Sequence, residues 1–286
     1  MSDTTVRAAD TSEAAPVRPT IVPPGLVKQV RTHVWRNVKH IRRMPEMLAD
    51  VTFQPIMFVV LFAYVFGGSI ATASSAGYRE WMLPGIMAQT MAFSCFIVAI
   101  GLTNDINKGI MDRFRSLPIS RASVLIGRSI SSLIHSSIGV VVMAVTGLVI
   151  GWRIRSGLGD AVLGFGLLLL FGFAMIWFGI LAGSALKTAE AVQGVMFTAI
   201  FPLTFLANTF APTERMVPFL RTVAEWNPIS SLVQAMRELW GNAPPPPPEA
   251  ALPLHHPIVS TILWAIALTL VLAPLSIRAF NRRATD

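Results

Sequence analysis

The chain has 286 residues, 53% of them hydrophobic and 13% charged, with a formal net charge of +8. Soluble domains carry about 25% charged residues, so with a mean hydropathy of +0.60 a fold wetted on all sides is excluded and the apolar excess must face lipid. The pI near 10.7 reads as nucleic-acid binding only where the cations share one soluble face; their positions assign them to one side of a membrane instead, and no nucleic-acid partner is expected.

Residues 1–24 hold Asp3, Asp10, Glu13 and four prolines but no long apolar stretch. They lack the apolar core of a signal peptide and are expected to be a disordered cytoplasmic tail. From 25 to 283 a transmembrane domain is expected. Its first element is an interfacial helix: Val27, Val30, Val34, Val38 and Ile41 recur at helical spacing with Lys28, Arg31, Lys39, Arg42 and Arg43 beside them, the pattern of an amphipathic helix against the headgroups of membrane lipids. The same stretch also reads as a basic anchor that only sets topology.

Six apolar segments follow, at 51–70, 82–103, 130–150, 161–183, 191–211 and 258–277, each 20 to 23 residues long with no charged side chain in its interior. A bilayer demands this, because Asp, Lys or Arg at a helix centre costs about 2.5–3.5 kcal/mol. The expected fold is all-α and integral to the membrane, with six transmembrane helices. Pro55, Pro202 and Pro274 lie within these segments, where neighbouring helices and hydroxyl side chains satisfy the freed backbone groups. Gly179 and Gly183 form a GxxxG that permits close helix approach. The single cysteine, Cys95, sits inside an apolar run, so no internal disulfide forms.

Two connecting segments are informative. Between spans two and three, Asn104 to Ser123 mixes charges with Phe114, Leu117 and Ile119; a short helix stopped by Pro118 projects these groups together and suits docking onto another protein, although an ordinary charged loop has the same composition. Between spans five and six, Asn227-Pro228 places an N-cap before a proline at the first helical position, and Gly241 stands where a C′ glycine belongs. A helix over Pro228 to Trp240 is therefore expected, lying on or dipping into the outer leaflet, preceded by an apolar piece from Met216 to Trp226. The prolines at 244–248 are expected to form an extended spacer.

With six spans and both ends on one side, that side holds 17 of the 23 basic residues and the other holds six. The positive-inside rule then puts both termini in the cytoplasm. Nine of the 15 acidic residues share that side, so the whole charge of +8 lies there and the opposite face is neutral.

The sequence contains no G-x-x-x-x-G-K-[ST], H-E-x-x-H, G-x-S-x-G or G-x-G-x-x-G, so no nucleotide site, catalytic residue or bound cofactor is expected in this chain. His255-His256 lacks Cys or carboxylate partners and reads as a surface pair rather than a metal site. Inside the spans, Gln89, Thr90 and Ser94, then His135, then Gln193, Thr198 and Asn208 are the candidate pathway-lining groups; the same amides and hydroxyls also serve as interhelical hydrogen bonds. An ion-coupled drug transporter is an alternative, disfavoured by the lack of a carboxylate in mid-membrane. A membrane scaffold without transport activity is the other.

Gly109-Ile-Met-Asp112-Arg113-Phe114-Arg115-Ser116-Leu117-Pro118-Ile119-Ser120-Arg121, followed by Val124-Leu125-Ile126-Gly127-Arg128, resembles the ABC-2 family of transporter permeases, most closely its daunorubicin-resistance-type branch. Asn227-Pro228-Ile229-Ser230 with Ala235-Met236-Arg237-Glu238-Leu239 is also similar to that branch. The resemblance implies that Asp112, Arg113, Phe114, Arg115, Ser116, Leu117 and Pro118 form a cytoplasmic coupling helix docking on an ATP-binding-cassette ATPase subunit. It further implies two copies of that subunit, which hydrolyse Mg-ATP in this chain's stead, and a second permease, identical or paralogous. Short external helices between spans five and six are implied as well. The expected function is export of a hydrophobic or amphiphilic compound, a drug, antibiotic or lipid-like natural product, across the plasma membrane.

Overall fold

The computed structural model describes Trp35 and residues 45–66, 75–109, 121–242 and 245–283. The tail at 1–24, the interfacial helix but for Trp35, and the coupling segment at 112–118 lie outside the described residues. Among the described residues all regular structure is helical. The order is α1 (Pro45–Leu61) with a π-helical extension (Phe62–Phe66), α2 (Ser75–Asn107), α3 (Arg121–Val149), α4 (Leu158–Ala185), α5 (Ala189–Phe205), a 3₁₀ turn (Thr213–Arg215), α6 (Pro218–Glu225), α7 (Pro228–Trp240), α8 (Leu252–His255) and α9 (Pro257–Arg283).

Four stretches, Gly77–Asn107, Ser123–Val149, Leu158–Ala185 and Pro257–Arg283, are long and apolar enough to cross a membrane, and Thr52–Val65 and Ala189–Phe205 are shorter apolar helices. The fifth expected segment, 191–211, is helical only to Phe205. Beyond it, bonds to α7 replace the helical ladder: the Asn208 N–H donates to Ser230 Oγ at 3.0 Å, and the carbonyls of Asn208 and Thr209 accept from Arg237. At 17 residues and about 1.5 Å rise per residue, α5 falls short of the roughly 30 Å hydrocarbon core.

α4 is the central helix, packed along α2 on one side and α9 on another, with α7 against both α4 and α9. The core joins Met82, Ile86 and Met91 of α2, Phe171 of α4, and Leu232, Met236 and Trp240 of α7, all nearly inaccessible. Gly179 and Gly183 explain the close approach of α2 and α4. A Cβ on Gly179 would lie far inside van der Waals contact with the Cys95 carbonyl oxygen, and one on Gly183 2.5 Å from that of Ala99. The GxxxG pair therefore sets backbone against backbone.

α7 has the ends its sequence predicts. Asn227 Oδ1 accepts from the Ile229 N–H at 2.9 Å. At the other end Gly241 is left-handed at φ +66°, and the N–H groups of Gly241 and Asn242 return to the carbonyls of Glu238 and Arg237, a Schellman closure. Its surroundings differ from the expectation. Rather than leaving a polar face exposed, α7 is buried on nearly every side, with Ser230 accepting from the Asn208 N–H, Gln234 donating to Glu238, and Arg237 donating to the carbonyls of Trp81, Asn208 and Thr209. The exposed apolar face belongs to α6 and its flanks, through Phe219, Val223 and Trp226. The proline run ends in a turn, with the Ala250 N–H donating to the Pro247 carbonyl at 3.0 Å.

Candidate functional site

Polar groups gather around Trp81, in the second turn of α2, and around Asn107 at its end. At the N-terminal end, Arg237 of α7 is about 1% exposed. Its Nε donates to the Trp81 carbonyl at 2.8 Å, and its Nη2 donates to those of Asn208 at 3.1 Å and Thr209 at 3.3 Å. The guanidinium carbon sits 3.7 Å from the centre of the Trp81 ring. Burial pushes the Arg237 pKa down to about 9, with Glu214 and Tyr78 acting in the opposite direction, so the group stays protonated at neutral pH. One cation thus fastens α7 to α2 and to the exit of α5.

The surrounding segments are tied in the same way. Trp152 Nε1 donates to Asn242 Oδ1 at 2.8 Å and Asn242 Nδ2 to the Arg153 carbonyl at 2.8 Å. Glu225, about 3% exposed, accepts from Arg221 Nε at 2.6 Å, Thr213 Oγ1 at 3.3 Å and the Ala251 N–H at 2.8 Å. Side-chain-to-side-chain and side-chain-to-backbone bonds together make this end of the bundle a cap.

At the C-terminal end of α2 the described chain leads into the 110–120 segment. Arg128 of α3 pairs with Asp105 of α2, so the two helices flanking that segment are joined by an ion pair. Asn107, the last residue of α2, donates through Nδ2 to the Lys187 carbonyl at 3.0 Å. Arg283, the last residue of α9, donates through Nη2 to Asn107 Oδ1 at 2.9 Å and to the Lys187 carbonyl at 3.2 Å, and through Nη1 to the carbonyls of Gly183 at 2.9 Å and Leu186. Thr103 Oγ1 adds a bond to the Gly183 carbonyl at 3.0 Å.

The candidate pathway-lining residues differ in burial and in their hydrogen bonds. Ser94 Oγ donates to the Met91 carbonyl at 2.7 Å and Thr198 Oγ1 to that of Gly194 at 2.8 Å, so both hydroxyls are satisfied on their own helices. Thr90 Oγ1 contacts Met143 Sδ at 3.6 Å. Gln89, His135 and Asn208 are buried, whereas Gln193 and Thr198 are exposed on α5. Asn208 contributes its backbone to the Arg237 cage.

Three features carry no direct sequence signal, the caged Arg237, the Glu225 staple and the Arg283 cluster, and a fourth, a file of stacked rings, carries only part of one. Phe197, Phe201 and Phe205 of α5 stack at 4.8 and 4.2 Å, and the file continues through Phe210 to Phe62 and Phe58 of the first helical element at 5.4, 5.1 and 5.9 Å. The i, i+4, i+8 spacing of the first three was visible; the crossing to a distant helix was not.

Residues 28–239 match the family model described as ABC-2 type transporter. Among curated relatives, a daunorubicin resistance ABC transporter permease protein, DrrB1 of Streptomyces coeruleorubidus, is 30% identical over 213 residues, covering 74% of this chain and 75% of the relative. A probable doxorubicin resistance ABC transporter permease protein, DrrC of Mycobacterium tuberculosis, is 26% identical over 236 residues, covering 81% and 80%. A putative transport permease, ycf38 of Cyanophora paradoxa, is 24% identical over 220 residues, covering 76% of each.

Proposed function

The chain belongs to the ABC-2 type transporter family, as a membrane permease similar to those of drug-resistance ABC transporters, and from that premise we propose that it exports a hydrophobic or amphiphilic compound from the cell. The observation that carries the reading is the family match over residues 28–239, which takes in every apolar helix except α9. The absence of any nucleotide-binding motif from the sequence accords with ATP hydrolysis in a separate subunit.

In this reading α1 and α5 join the four longer helices as spans, giving six, with both termini in the cytoplasm of a plasma-membrane protein. Two permeases, identical or paralogous, work with two ATPase subunits. Asp112 to Pro118 dock on the ATPase, and closure of the nucleotide-binding pair around Mg-ATP displaces that segment and the helices it joins. The cap around Arg237 then faces outside. The half-exposed phenylalanine file on α5 and the first helix, next to the exposed Gln193 and Thr198, supplies the mixed apolar and polar surface that suits an amphiphilic cargo.

The test is reconstitution with the ATPase subunit that copurifies, using daunorubicin, the compound in a relative's name, as the probe. Phe114→Ala combined with Arg115→Glu is expected to leave membrane insertion intact, to lower recovery of the complex and to abolish probe-stimulated ATP hydrolysis. Wild-type recovery and stimulation in that variant would remove the coupling assignment. ATP-independent, proton-driven flux by the purified chain alone would replace the export reading with ion-coupled transport.

A further inference from the structure

The Arg283 guanidinium, at the end of α9, bonds to α2 at Asn107, to the carbonyls that close α4 and to the turn that leads into α5. A helix leaves its last carbonyls without intrahelical partners, and at the end of α4 those of Gly183, Leu186 and Lys187 are taken by Arg283, which arrives from the end of α9. The same fork holds Asn107 Oδ1, and Asn107 itself returns a bond to the Lys187 carbonyl. Lys187 lies in the turn between α4 and α5. The next residue, Thr188, caps α5 by accepting from the Ala191 N–H at 3.2 Å. The ends of α2, α4 and α9 and the start of α5 are therefore linked within a few side-chain bonds.

A cap for α4 alone needs no partner on α2. Lysine at the end of α9 would complement the carbonyl ends as well, but a planar fork that bridges several acceptors in fixed directions is specific to arginine. Asn107 is also the last helical residue before the chain enters 110–120. Any displacement of that segment reaches the described helices first at Asn107, and on the α3 side through the Arg128–Asp105 pair.

We propose that Arg283 is the positioning residue that passes displacement of α2 at Asn107 to the α4–α5 turn and to α9, so that these helices move with the segment that follows Asn107. The proposal rests on the functional reading above, since it concerns how ATP-driven movement enters the bundle. It adds a residue from the far end of the chain, 176 positions from Asn107, to the transmission path.

The experiment uses the whole complex in proteoliposomes with daunorubicin as the probe, and measures probe moved per ATP hydrolysed. In Arg283→Ala this ratio is expected to fall about tenfold, the scale of losing charge-assisted hydrogen bonds, while ATP hydrolysis continues. Asn107→Ala should give a similar fall. The double variant should be no worse than the more affected single one, because both remove the same link. Arg283→Lys should stay low, since an ammonium does not bridge the same acceptors. Arg278→Ala, which removes an exposed cation from the same helix, should leave the ratio unchanged and so separates geometry from charge. If Arg283→Ala fails to assemble, Arg283→Lys and Asn107→Ala carry the same comparison. A wild-type ratio in those variants, even with lowered thermal stability, reduces Arg283 to a cap on α4 and overturns the proposal. A wild-type complex that moves no probe on ATP addition overturns the functional reading, and this inference falls with it.

Discussion

Arg237 and Trp81 hold each other twice: the guanidinium carbon lies 3.7 Å from the centre of the indole ring, and Arg237 Nε donates at 2.8 Å to the Trp81 carbonyl. The contact joins α7 to α2, residues 156 positions apart, and among the described residues no carboxylate hydrogen-bonds to the cation. Stability there depends on donor geometry rather than on charge alone. Lysine retains the charge and loses the fork, leaving carbonyls of Trp81, Asn208 or Thr209 buried without a donor. Arg237→Lys is therefore expected to cost about 2–3 kcal/mol, a fall in unfolding midpoint of roughly 4–12 °C. Cys95 is the only cysteine and is fully buried, so a thiol-reactive dye reports unfolding of the detergent-solubilised chain directly. An unchanged midpoint would mean that any cation suffices.

The α2–α4 contact predicts a graded response along one helix. Alanine at Gly179 or Gly183 drives a methyl group into the backbone carbonyl of Cys95 or Ala99, which no rotamer change relieves. Each substitution is expected to cost about 1–3 kcal/mol as the helices part. Gly166, on the same helix, has nothing within 4 Å of a built Cβ, so Gly166→Ala should be neutral or stabilising by up to about 1 kcal/mol. The Cys95 assay is well placed for this comparison, because separating α2 from α4 exposes the thiol itself.

What the sequence made legible is what local interactions decide. Asn227 and Gly241 fixed both ends of α7 because an N-cap and a left-handed C′ residue act within a turn of their own helix. The environment of α7 was hidden for the same reason. Ser230, Gln234 and Arg237 on one side of a helix look the same whether water or distant backbone carbonyls receive them, and only the fold brings Trp81 and Asn208 to that side. Arg283 likewise read as one more basic residue of the tail, and the end of α5 at Phe205 depended on partners in α7. The Asp112–Pro118 motif lies outside the described residues, so its role rests on the sequence and the family.

Burial also sets a pH dependence. Glu238, on the last turn of α7, has its carboxyl pKa raised by burial, against the lowering effects of the hydrogen bond from Gln234 Nε2 and of His255. A carboxyl whose folded pKa lies above its unfolded value binds its proton more tightly in the folded state. Its favourable contribution is complete below the unfolded pKa, about 4.3, and is lost as pH rises through the folded value. Glu238→Gln keeps an oxygen to accept from Gln234 and removes the titration. Unfolding midpoints of the two proteins should accordingly converge near pH 4 and diverge by pH 7, with the glutamine variant the more stable. Curves that stay parallel across that range would show that Glu238 does not control this part of the profile.

Two ion pairs of similar length but different burial supply the last prediction. Arg155 Nη2 meets Glu80 Oε1 at 2.6 Å, yet the arginine side chain is 62% exposed. Arg221 Nε meets Glu225 Oε1 at the same distance with the carboxylate side chain 5% exposed, and Glu225 also receives Thr213 Oγ1 and the Ala251 N–H. Exposed pairs contribute about 0.2–1 kcal/mol because water and mobile side chains compete, so Glu80→Gln should cost within that range. At 1 M salt, where the Debye length is about 3 Å, the cost should vanish. Glu225→Gln removes the charge facing a partly buried guanidinium and disturbs the acceptor for the Ala251 N–H, for which about 2–3 kcal/mol is expected. With the carboxylate side chain only 5% exposed, salt screens that pair less, so most of its cost should persist. Thermal unfolding of both variants at 0.1 and 1 M salt checks the contrast, and equal, equally screened losses would place Glu225 at the surface rather than inside the cap.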